Sequence, residues 1–225
     1  MNVSGTSETA EEYRPSRFGR AFYRVGPEMD RRGAIQHRVR MLSELTGNVV
    51  EIGAGYGATF WLYPPLVTEV LALEPDAFLR RHARHAAEHS GLNVRVVPDM
   101  AESIPCDDAS MDAVVSSLVL CSVERQETVL AEIGRVLKPG GVLVFYEHVR
   151  SRSRMVAGLQ DLATPLWRRA AGGCRPNRDT VRAITQAGFT MDSVERFGFR
   201  VNAFAPPVAH VIGCARRVGA EVAGA

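Results

Sequence analysis

Long apolar runs are missing from this chain, and cysteine and lysine are sparse. No stretch reaches the ~20 apolar residues that span a bilayer as a helix, and the opening Met1-Asn2-Val3-Ser4-Gly5-Thr6-Ser7-Glu8 has neither the basic nor the apolar region of a secretory signal. The four cysteines, Cys106, Cys121, Cys174 and Cys214, form no Cys-x-x-Cys pair and no finger-like spacing. That pattern argues against both a disulfide framework and a zinc site. Together these absences predict a soluble, cytoplasmic protein with no metal and no membrane span. Lys138 is the only lysine among 27 basic residues, which coding bias explains, and a net charge of +2 gives no reason to expect a nucleic-acid partner.

What is present suffices for a core: 225 residues, 46% of them apolar, are enough for one compact domain. Apolar strand-like runs alternate with helical patterns, as in a doubly wound sheet. Strands are expected at 48–53, 69–74, 93–98, 112–117 and 141–148, with helices at 57–62, 76–90, 125–137, 153–171 and 178–187. Two last strands, near 190–200 and 208–216, are close enough to pair as an antiparallel hairpin at the sheet edge. The fold class is therefore α/β, Rossmann-like: a seven-stranded, mostly parallel sheet with helices on both faces. Residues 1–12 and 218–225 read as flexible tails around a single domain at 13–217, in which 13–46 form an aromatic, arginine-rich helical lid and 150–180 a substrate-side insertion.

Three strand ends carry chemistry. The first is Val49-Val50-Glu51-Ile52-Gly53-Ala54-Gly55-Tyr56-Gly57, a strand entering a glycine turn whose missing Cβ atoms allow a sharp reversal and a close ligand. The glycines alone do not choose a cofactor, since Gly53, Gly55 and Ala58 also fit the dinucleotide fingerprint. Glu51 favours S-adenosylmethionine, because a carboxylate suits its ammonium and sulfonium better than a pyrophosphate. The second is Glu74-Pro75, where an acid about 20 residues after the turn can accept ribose hydroxyls or, alternatively, charge the start of the next helix. At the third, Asp99 is placed to accept the adenine amino group while Met100 and Ala101 line the ring, although an acid there can equally be a turn residue.

In order, Glu51–Gly57, Glu74-Pro75, Asp99–Glu102, Ser110–Val115 and Arg135–Gly141 resemble the landmarks of class I S-adenosylmethionine-dependent methyltransferases. Leu118–Val123, Tyr63-Pro64-Pro65, Glu147-His148-Val149 and Gly173-Cys174 with Arg178 resemble, more narrowly, the alkyl thiol methyltransferases and their bacterial relatives. The resemblance implies a cofactor site made of Glu51, Gly53, Ala54, Gly55, Tyr56, Glu74, Pro75, Asp99, Met100, Ala101 and Leu118. Tyr56 stands where threonine is usual, which puts the shape of the methionine end of the pocket in question.

Methyl transfer is an in-line displacement, so alignment, water exclusion and, where needed, proton removal are the protein's tasks. His148, at the end of the fifth strand, is the candidate general base, with an orienting role as the alternative. Cys121 and Cys174 read as small buried hydrophobes. Eight arginines between 150 and 182 could hold an anionic substrate or form a solvated face, while Leu166 and Trp167 could floor an apolar pocket. The expected activity is methyl transfer to a small acceptor, apolar or anionic, with a thiol ahead of a hydroxyl or carbon acid. A lipid-amine N-methyltransferase and a cofactor-binding protein that has lost methyl transfer are the alternatives.

Overall fold

The computed structural model describes residues 16–200 and 206–217. The predicted tails at 1–12 and 218–225 lie outside that set. Helix α1 (Arg17–Met29) runs through a short π turn (Asp30–Ala34) into α2 (Ile35–Leu42), and then the sheet begins. It comprises β1 (Gly47–Ile52), β2 (Val67–Leu73), β3 (Val94–Val97), β4 (Met111–Ser117), β5 (Leu137–His148), β6 (Phe189–Phe199) and β7 (Val208–Arg217). Helices α3 (Ala77–His89), α4 (Gln126–Val136), α5 (Arg154–Ala170) and α6 (Thr180–Gln186) complete the order.

The strands lie in the order β3-β2-β1-β4-β5-β7-β6. The five through β5 are parallel, and β7 runs antiparallel to both β5 and β6. Alternation divides the core between two faces. Val50, Ile52, Val114, Leu143 and Phe145 pack with Leu130 and Ile133 of α4 and Ile184 of α6. Val49, Val70, Val115, Val144 and Tyr146 pack on the other side with Met41 and Leu42 of α2 and Ala83 of α3. Continuous burial of β1 and β4 on both faces is what parallel strands at the centre of a sheet require.

The sequence-based expectations hold for every strand, and they fail at 57–62. No helix follows the glycine turn; three reversals do, with Gly57 N–H donating to Ala54 O (3.0 Å), Phe60 N–H to Gly57 O (3.2 Å) and Leu62 N–H to Thr59 O (2.8 Å). Gly57 at φ +80° and the Pro64-Pro65 pair just beyond interrupt any helical run. Strand β5 begins at Leu137, directly where α4 ends and ahead of the expected start at 141. The segment expected as a lid also divides in function. Leu42 of α2 is fully buried beneath the sheet, which leaves α1 as the part over the strand ends.

Candidate active site

The carboxyl ends of β1, β2, β3, β4 and β5 open onto one cavity of about 630 Å³, the edge where ligands bind in open α/β sheets. Gly53, Gly55, Glu74, Pro75, Asp99, Met100, Ala101, Leu118 and His148 all lie on its wall. Gly53 and Gly55 have φ +60° and +61°, and a Cβ on Gly53 would meet Val119 Cγ2 at 2.5 Å. Leu118 takes the same left-handed conformation (φ +63°) with a full side chain, backbone strain of the kind that collects at functional sites.

Glu74 accepts hydrogen bonds from Gly55 N–H (2.7 Å, through Oε2) and Asp76 N–H (2.8 Å, through Oε1). It thereby pins the glycine turn to the start of α3, and burial raises its pKa to about 7 against the pull of those two donors. Ser117 and His210 lie on this wall, and their buried Oγ and Nε2 have no hydrogen-bond partner among the described residues.

Three residues expected at the cofactor do not line this cavity. Glu51 is 2% exposed and absent from the cavity wall. Its carboxylate accepts from Thr59 Oγ1 (2.7 Å) and Tyr63 Oη (2.9 Å), which fold the reversals at 57–63 back onto β1. Burial raises its pKa to about 7, opposed by those two hydroxyls. Ala54 is buried behind the turn, its N–H donating to Leu73 O (3.0 Å). Tyr56 points at α1, with Oη 3.3 Å from Asp30 Oδ2 and its ring against Phe22 and Tyr23. Gly26 is the residue that makes room for it, since a Cβ there would overlap the phenol oxygen.

On the remaining wall stands a group that sequence spacing did not disclose. His148 Nδ1 lies 3.5 Å from Cys121 Sγ and 3.4 Å from Cys174 Sγ, and the two sulfurs are 3.6 Å apart. Cys174, His148 and Trp167 face the cavity. The hydrogen bond between the two sulfurs and the neighbouring imidazole hold the Cys174 thiol below its ordinary range against burial, while burial pushes the Cys121 thiol up. His210 packs against His148 with ring centroids 4.4 Å apart and the planes tilted by 48°, and burial, then the charge of His148, lowers its pKa to about 3.

The loop carrying Cys121 is clamped from behind by Glu147, which alternates to the opposite face from His148. This fully buried carboxylate accepts from Ser116 Oγ (2.7 Å) and from the N–H groups of Val119, Leu120 and Cys121 (3.0 Å each). Burial raises its pKa, and the donors pull the other way.

Helix α1 closes the site with Phe18, Phe22, Val25 and Met29, positions i, i+4, i+7 and i+11 of one helical stripe. That spacing was available in the sequence. None of the eight arginines at 150–182 lines the cavity. Arg150 pairs with Asp161, Arg168 and Arg175 pair with Glu124, and Arg178 donates to the carbonyls of Leu120 and Val123. Leu166 is 74% exposed on α5, so of the two residues expected to floor a pocket only Trp167 does.

Fold and site together define an α/β protein that holds an adenosine-type cofactor beside a histidine–cysteine wall. A model for "Methyltransferase domain" matches residues 50–145. Human thiol S-methyltransferase TMT1B is 36% identical over 165 residues, 71% of this chain and 67% of that protein. A solved S-adenosylmethionine-dependent methyltransferase from Mesorhizobium loti superposes with a TM-score of 0.63 at 22% identity, covering 84% of this chain and 100% of that one. The [4+2]-cyclase SpnF superposes at 0.65 and 18%, over 82% and 80%; at such identities these two likenesses concern the fold alone. The chain belongs to the class I S-adenosylmethionine-dependent methyltransferases. It is a methyltransferase whose cofactor is S-adenosylmethionine, and it spans 60–67% of the length of the TMT1A and TMT1B relatives it matches. Among the described residues no helix is long and apolar enough to cross a membrane.

Proposed function

We propose that the protein methylates the sulfur of a small, largely apolar thiol. The observation that carries this reading is His148 on the wall of the cavity that also holds Glu74 and Asp99, with Trp167 and the apolar stripe of α1 completing the enclosure. Glu74 would take the ribose hydroxyls, Asp99 with Met100 and Ala101 the adenine, and Gly53, Gly55, Pro75 and Leu118 would shape the remaining contact. Glu51, Ala54 and Tyr56 act through the turn and α1 rather than by touching the cofactor.

When bound, S-adenosylmethionine supplies an electrophilic methyl group. The protein's own work is to exclude water with α1, align the acceptor and help remove its proton. A thiol of ordinary pKa near 8.5 is mostly protonated at neutral pH, so drawing off that proton raises the reactive thiolate fraction. His148 is the group within reach for that task. The thiol S-methyltransferase name of the relatives supports the same acceptor. The lipid-amine alternative loses its motive, because the arginine cluster that suggested it does not border the cavity.

Matched acceptors test the proposal. Hexanethiol, hexanol and hexylamine are incubated with the protein and S-adenosylmethionine, and S-adenosylhomocysteine and methylated product are quantified by mass spectrometry. Turnover of the thiol alone is expected. Turnover of the amine or alcohol with none of the thiol would overturn the acceptor assignment.

A further inference from the structure

The geometry points to a zinc site at Cys121, His148 and Cys174, with the fourth coordination position open to the acceptor side of the cavity. Zinc bound tetrahedrally, with Zn–S of about 2.3 Å and Zn–N of about 2.0–2.1 Å, separates two sulfurs by roughly 3.8 Å and a sulfur and nitrogen by roughly 3.5–3.6 Å. The three edges here are 3.6, 3.5 and 3.4 Å. A planar three-ligand centre with the same bonds would spread the sulfurs to about 4 Å. The ligand atoms therefore already occupy three corners of a zinc tetrahedron to within a few tenths of an ångström.

The three ligands come from separate segments that are tied to one another. Cys121 N–H donates to Glu147, the residue before His148, and Arg175 N–H donates to Cys121 O (2.8 Å), binding the Cys174 loop to the Cys121 loop. Gly173 (φ +89°) permits that approach, since a Cβ there would stand 2.8 Å from Ser122 O. The His210 ring, tilted against His148 at 4.4 Å, and the Trp167 ring, edge-on at 6.5 Å, flank the His148 imidazole. A site whose ligands are fixed before metal arrives is what a catalytic zinc centre needs, and three protein ligands with one open position is the pattern of such centres. Cys121 is fully buried while His148 and Cys174 face the cavity, so an exogenous fourth ligand would enter from the cavity.

The consequence for chemistry rests on the thiol reading above. A thiol taking the fourth position is deprotonated on coordination, its proton passing to solvent. The sulfur's electron pair then forms the new S–CH₃ bond as the sulfonium C–S bond breaks, and that pair returns to the sulfur of S-adenosylhomocysteine. The metal would take over the proton-removing task, with His148 Nδ1 as a ligand.

The full chain, expressed with zinc supplied and purified with a non-thiol reductant, is dialysed and assayed for metal by mass spectrometry. About one zinc per chain is expected, falling to under roughly a tenth in folded Cys121→Ser and Cys174→Ser. Cobalt exchanged into the wild type should show thiolate-to-cobalt charge transfer, and hexanethiol should alter its visible bands where hexanol does not. This spectrum requires no variant to fold. Wild type that holds no zinc and gives no cobalt–thiolate band while still methylating hexanethiol overturns the metal site and leaves the proposed function standing. Zinc retained equally by both serine variants also overturns it. Zinc bound through both cysteines without any thiol turnover upholds the site and removes the thiol reading instead.

Discussion

Replacing Glu147 separates its service to the loop from the chemistry next door at His148. The carboxylate satisfies four donors, Ser116 Oγ and the N–H groups of Val119, Leu120 and Cys121. Each buried donor left unpaired costs about 1–3 kcal/mol. In Glu147→Ala the Ser116 hydroxyl can rotate to another acceptor and a water entering the vacated space can serve one or two amides, which brings the expected loss to about 3–5 kcal/mol. Glu147→Gln keeps an acceptor oxygen where three of the bonds converge and turns an amide NH₂ toward Cys121 N–H. One unpaired donor then sets the loss at about 1–3 kcal/mol. Urea unfolding measures both, with a shifted midpoint at constant slope as the expected signature. Hydrogen exchange at the amides of 119–121 should quicken in the alanine variant. If Glu147→Ala unfolds within about 1 kcal/mol of wild type, or if the glutamine variant is the weaker of the two, the carboxylate is not what holds the loop.

Glu51 should make the protein less stable as pH rises. Its folded pKa of about 7 exceeds the ordinary 4.5, so between those values the unfolded chain has released a proton that the folded one keeps, and the penalty builds to about 3 kcal/mol by pH 7 and stays constant above it. Urea midpoints from pH 5 to 8 should fall, and Glu51→Gln should flatten that fall; a slope unchanged by the substitution would assign it to other groups. Glu74→Ala should weaken binding of S-adenosylhomocysteine by about 1–3 kcal/mol in calorimetry if ribose hydroxyls pair with it, and equal affinity would leave Glu74 as the pin between Gly55 and α3. Saturating S-adenosylhomocysteine should slow hydrogen exchange in α1, residues 17–29, more than in α2; identical exchange with and without it would mean that α1 is a fixed wall.

The order of elements was legible because it depends on short-range signals: apolar runs long enough for buried strands, with acids such as Glu74 at their ends. Glu51 lies off the cavity wall for a definite reason. Its position before the glycines was plain, but the hydroxyls that claim it lie eight and twelve residues onward and reach it only because the chain reverses where a helix was expected. The cysteine–histidine wall escaped for the opposite reason. A test for metal spacing examines neighbours in sequence, whereas Cys121 and Cys174 are 53 residues apart and meet only after the loops beyond β4 and α5 have docked. Arginine clustering left two readings open because density along the chain says nothing of direction; Arg150, Arg168, Arg175 and Arg178 turn to Asp161, Glu124 and loop carbonyls.

Strand β7 follows the other six described strands in sequence and is placed inside. It pairs its His210 with His148 of β5 and leaves β6, synthesised before it, at the outer edge. While the chain is on the ribosome, the flank of β5 must stay bare until Val208–Arg217 emerges, an open edge of the sort that invites pairing with a stranger. The insertion that closes this gap is the same event that sets one imidazole against the other. A nascent chain therefore carries every cofactor-side residue before it has a finished acceptor wall, and a protein cut short ahead of β7 would be expected to capture cofactor product far better than it turns over.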